Sequence, residues 1–129
     1  MEDYKEAALR HLEDSETLFA KQAFDNAGHL AGFAAECAIK YKIQITGVGG
    51  DNPKLHFPAI IMAAKKRLTG RNNGRIHQLL SRANPLLNGW DVNSRYFHNG
   101  SISSDLAGEW IQDTKRLFAT AGIKMRVKK

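Results

Sequence analysis

Cysteine is almost missing from this chain: Cys37 is the only one in 129 residues, which excludes an intrachain disulfide and any cysteine-based zinc cluster. Long apolar runs are missing as well. The longest, around Phe57 to Ala64, is interrupted by Pro58 and falls well short of the roughly 18 residues a membrane span needs. The opening stretch MEDYKEAALRHLED is charged and helix-like, with no apolar signal-peptide core. No alternating run is long enough for a sheet, and there is no internal repeat or low-complexity segment. Hydrophobic residues still make up 43% of the chain, which excludes disorder as its main state. The expectation is a soluble, cytoplasmic protein with no membrane segment.

What the chain does have is positive charge. Nineteen Lys and Arg against thirteen Asp and Glu leave a net +6. Such a balance admits a nucleic acid or another polyanion as partner. Lys65, Lys66, Arg67, Arg71 and Arg75 fall within one short stretch, and Lys124, Arg126, Lys128 and Lys129 crowd the end of the chain. Two readings stay open. These cations are solvated residues at helix ends, where they meet the negative end of the helix dipole, or they form a phosphate-facing surface.

Periodicity predicts helices. Tyr4, Ala8, Leu12, Ser15 and Phe19 recur at three- and four-residue spacing between about Glu2 and Lys21. Asp25 is placed to cap a second helix that runs to about Ile45, before the turn formers from Thr46 to Pro53. That helix is rich in small residues. Glycine in a helix costs about 0.5–1 kcal/mol relative to alanine, so Gly28 and Gly32, one turn apart, imply a face that another helix approaches closely, within the chain or from a second subunit. A third helix starts between Lys54 and Pro58 and ends by Gly70. A fourth spans Arg75 to Ala83, and a last one starts at Ser103 or Ser104 and stops at Gly122. The expected architecture is all-α, a bundle of four or five helices. It forms a single domain over residues 1–123, followed by a basic tail over 124–129.

Between the last two helices lies the stretch Trp90 to Gly100, irregular yet dense in aromatic residues, with Arg95 and His98. A guanidinium can hold a phosphate through paired hydrogen bonds, and a histidine can move a proton near neutral pH. Together they suit metal-free cleavage of an RNA backbone, with His98 acting on the 2′-hydroxyl or leaving group and Arg95 stabilising the charged phosphorane. The alternative is structural: Tyr96 and Phe97 anchor the loop while Arg95 pairs with a carboxylate. No metal site is expected, because no His-x-x-x-His or Glu-x-x-His pair occurs. No cofactor is implied. Gly47-Val48-Gly49-Gly50 lacks the Gly-Lys-Ser/Thr that would make it a phosphate loop. Cys37, in an alanine-rich helix, is expected to be a small buried hydrophobe.

The opening helix from Glu6 to Leu18, and above all Ala31-Gly32-Phe33-Ala34-Ala35-Glu36-Cys37-Ala38-Ile39-Lys40, resembles the HEPN superfamily of prokaryotic helical domains. Leu55-His56 and Trp90 with Arg95-Tyr96 match its later landmarks. The resemblance implies an up-and-down helical bundle, commonly a homodimer, with Gly28, Gly32 and Tyr96 as interface residues here. It also implies a place in a toxin–antitoxin or defence system, often beside a nucleotidyltransferase partner. Catalytic members of that superfamily are metal-independent endoribonucleases with an Arg-x(4–6)-His motif shared across a dimer. Here Arg95 and His98 have only two residues between them, and Tyr96 replaces the polar residue that usually follows the arginine. With the motif shortened, the resemblance points to a non-catalytic, dimerising module that binds a nucleotidyltransferase partner, a nucleotide or RNA. The alternative is a ribonuclease toxin using Arg95 and His98, with Lys65, Lys66, Arg67, Arg71 and Arg75 holding RNA.

Overall fold

A computed structural model describes residues 3–46, 54–57, 59–70, 73–83, 85–92 and 100–126. Its helices are α1 (Tyr4–Ala20), α2 (Phe24–Thr46), α3 (Ala59–Arg67), α4 (Gly74–Leu80) and α5 (Ser104–Ala121), with no strand among the described residues. Helix α1 begins where the Asp3 carboxylate accepts a 3.0 Å hydrogen bond from the Glu6 amide. It ends in a left-handed residue, Gln22, at φ 65°. The Ala23 amide folds back onto the Leu18 carbonyl at 2.9 Å. Helix α5 is capped by Ser103, whose Oγ accepts from the Leu106 amide, and it stops at Gly122, φ 80°. Both α5 boundaries agree with the sequence expectation.

Helix α2 is the centre of the molecule, about 34 Å long at 1.5 Å per residue. It packs against both α1 and α5. Ala27, Ala31, Ala34, Ala35 and Ala38 are completely buried, and these short side chains let two helices lie close on either side. Side-chain contacts give the directions. Ser15 of α1 donates to the Ala27 carbonyl and Lys40 lies over the Tyr4 ring, so α1 and α2 run antiparallel. Thr114 meets the Ala31 carbonyl while Gly28 faces Trp110, so α2 and α5 run parallel. The chain therefore has to return between them, and α3, α4 and the irregular segment after α4 make that return.

The small-residue face has an internal neighbour, which corrects the expectation of Gly28 and Gly32 as subunit-interface residues. Both glycines are buried within one chain. A Cβ on Gly28 would sit 2.8 Å from Cε3 of Trp110, and one on Gly32 would overlap the Trp90 indole. Two tryptophans from outside α2 fill the space that the glycines leave.

The start of the basic tail is also engaged internally. Arg126 forms a paired salt bridge to Glu13, with both N···O distances 2.7 Å, and reaches Glu6 at 3.0 Å. This fastens the chain after α5 to the surface of α1. No helix among the described residues is long and apolar enough to cross a membrane.

Candidate phosphate-binding surface

Arg71, Arg95, Tyr96 and His98 lie outside the described residues, as do Lys128 and Lys129. Both flanks of the Arg95 segment are described, however, and both are tied to the first half of α2. On one side Trp90 is 3% exposed and donates through Nε1 to the Gly28 carbonyl at 3.1 Å. Its indole stacks on His29, with centroids 5.6 Å apart and planes at 20°, and meets Phe33 edge-on at 5.6 Å. On the other side Asp25 accepts from two backbone amides, Gly100 at 2.7 Å and Ile102 at 2.9 Å. Asp25 therefore does not cap α2 as expected. It sits inside the first turn, where a carboxylate is favoured by the dipole, and clamps a distant segment.

Lys65, Lys66 and Arg67 form the last turn of α3, the position at which cations offset the helix dipole. Lys66 is exposed, Lys65 and Arg67 are half-buried, and Arg75 is exposed on α4. The turn between these helices is held by side chains. Asn73 donates to the Thr69 carbonyl at 2.8 Å, and His77 Nδ1 lies 3.1 Å from the Leu68 carbonyl.

Two buried carboxylates, Glu36 and Asp113, act as organising centres. Glu36 binds Lys40 at 3.2 Å and His56 Nδ1 at 2.8 Å, joining the segment before α3 to α2. The His56 side chain thus contacts α2, while its carbonyl accepts from the Ile60 amide in the first turn of α3 at 2.9 Å. Asp113 takes Arg82 at 2.7 Å and Arg116 at 2.9 Å on one oxygen, and the Leu87 amide at 2.9 Å on the other. The Arg116 pairing had a sequence signal, the i, i+3 spacing on one helix. The Arg82 pairing spans 31 positions and had none.

The other candidates fall into place around α2. His29 is buried against Trp90 and Phe33. His11 is half-buried 6.0 Å from the Phe33 ring. Burial pushes its pKa down, Arg10 pushes it further, and Asp14 and Glu36 oppose the shift. Cys37 is half-buried against the core. Among the described residues no three His, Cys, Asp or Glu side chains come together as a metal site.

Helical packing of this kind, with a small-residue central helix wedged by two tryptophans, defines an all-α domain class. The family model described as the HEPN domain matches residues 1–124, and the chain belongs to that family. No curated protein and no solved structure gives a significant match to the chain.

Proposed function

We propose that this HEPN-family chain is a non-catalytic, dimerising binding module. It engages RNA, a nucleotide or a nucleotidyltransferase-type partner in a toxin–antitoxin or defence-type system. The observation that carries this reading is the spacing of Arg95 and His98, two intervening residues where the family's catalytic motif has four to six. The cations Lys65, Lys66, Arg67, Arg71 and Arg75 would supply phosphate contacts, and Tyr96 would face the second copy. Each phosphate neutralised on a single strand should contribute about −0.7 to the slope of log affinity against log salt.

A second reading is favoured by the two anchors of the Arg95 segment. Trp90 and Asp25 tie its flanks to one rigid helix, the kind of support a catalytic pair needs. On that reading Arg95 and His98 cleave RNA without a metal. Purified protein incubated with total RNA and chelator, beside the Arg95→Ala/His98→Ala double variant, separates the two. Salt-dependent RNA binding with no cleavage by either protein is the expected outcome. Cleavage by the wild type alone would make the chain a ribonuclease and overturn the proposal.

A further inference from the structure

We infer that the outer face of α5 is where a second copy of this chain docks, its own α5 lying antiparallel across a two-fold axis beside Gln112. The inference deepens the dimerising part of the proposed function and rests on it. At about 3.6 residues per turn, Asp105, Gly108, Glu109, Gln112, Arg116 and Ala119 share the outer side of α5. Gly108 is half-buried and the others are exposed. Gly108 and Gln112 line a cleft on each flank of this ridge. On one flank a cleft of about 250 Å³ lies against Phe19 and Ala20 of α1. On the other, one of about 650 Å³ lies beside Glu109 and Arg116. A ridge between two grooves is the form into which a second helix packs.

Charge selects a second copy of the same helix as the occupant. Glu109 precedes Gln112 by three positions and Arg116 follows it by four, and both line the same flank. Seven residues set them about 10 Å apart along the axis, and Glu109 takes no ion pair among the described residues. Arg116 is steadied by Asp113 at 2.9 Å, and a guanidinium has further donors beyond that one. A two-fold axis across α5 reverses the incoming helix. Each Glu109 then meets the second copy's Arg116, and the contact is made twice, as in any isologous interface. Gly108 supplies the close approach. Glycine inside a helix is destabilising relative to alanine. The two tryptophans account for it at Gly28 and Gly32, but a Cβ on Gly108 would lie 3.7 Å from Phe19 Cζ, an ordinary contact. Among the described residues nothing requires glycine there, whereas a helix backbone laid across the ridge does.

Sedimentation equilibrium of the full chain tests the face. The wild type should dimerise reversibly. Glu109→Arg should weaken dimerisation about tenfold through two like-charge contacts, and Gly108→Ala about fivefold by holding the helices apart. Lys5→Gln on α1 should leave it unchanged. Glu109 is exposed and Gly108 has room for a methyl group, so both variants keep the single chain folded. Gln112→Cys in a Cys37→Ala background should give a disulfide-linked dimer on mild oxidation, since the axis brings the two copies of position 112 together. Gln78→Cys, exposed on α4, should not. A wild type that stays monomeric at every concentration removes this face and the dimerising reading together. A dimer unweakened in both variants, with no cross-link at position 112, overturns the face alone and leaves that reading, with the second copy seated elsewhere.

Discussion

At Gly32 the Trp90 indole occupies the volume that a Cβ would take, and the same indole donates to the Gly28 carbonyl one turn earlier. Replacing a helical glycine by alanine normally gains about 0.5–1 kcal/mol from the unfolded chain's lost freedom. Here the added methyl has to displace a ring that is itself packed on His29, Phe33 and Phe57. Overpacking of that kind costs about 1–3 kcal/mol, so the sign reverses. Gly32→Ala should lower stability by about 1–2 kcal/mol net, read as a lower urea midpoint at unchanged slope. Gly28→Ala, which meets one edge of Trp110 at 2.8 Å and Ile102 Cγ2 at 3.2 Å rather than overlapping a ring, should lose less. A raised midpoint in Gly32→Ala would mean that the indole slides aside freely and that Trp90 does not fix the corner.

At the scale of elements, Asp25 joins the start of α2 to the start of α5. Its two oxygens each accept one amide, and Ile102 beyond them is buried. Hydrogen bonds to a charged group contribute about 1.5–3 kcal/mol each when protected, less where one partner, Gly100, is exposed. Asp25→Ala should therefore cost about 1–2 kcal/mol and speed hydrogen exchange selectively at the Gly100 and Ile102 amides. Uniformly faster exchange along α2 would show that the residue acts as a helix cap instead. The elements that were legible in advance are those that local chemistry decides: the stripes of α1 and α2, the Ser103 cap and the Gly122 stop. The need for close approach at Gly28 and Gly32 was legible for the same reason. The identity of the neighbour was not, because Trp90 and Trp110 arrive from far along the chain and periodicity carries no information on such pairings. The distant partners of Asp25 and Asp113 were unreadable on the same grounds, since they lie 75 and 31 positions away.

For the molecule as a whole, the α1–α2 hairpin contains a group that makes stability depend on pH. His11 lies between these helices near Phe33, and its pKa in the folded chain is lowered from 6.5, first by burial and then by Arg10. The folded protein therefore takes up this proton less readily than the unfolded chain. In the window between the lowered value and 6.5 the unfolded state holds more protons, so stability rises with pH there. The favourable contribution is complete above 6.5 and is lost as pH falls below it. Unfolding free energies measured from about pH 7.5 down to about pH 5.5 isolate the histidine, because its ordinary range lies there and that of carboxylates does not. The wild type should lose stability over that interval more steeply than His11→Gln, with the two curves parallel above it. Coincident curves throughout would clear His11 of any part in the acid response and leave it to the carboxylates and the remaining histidines.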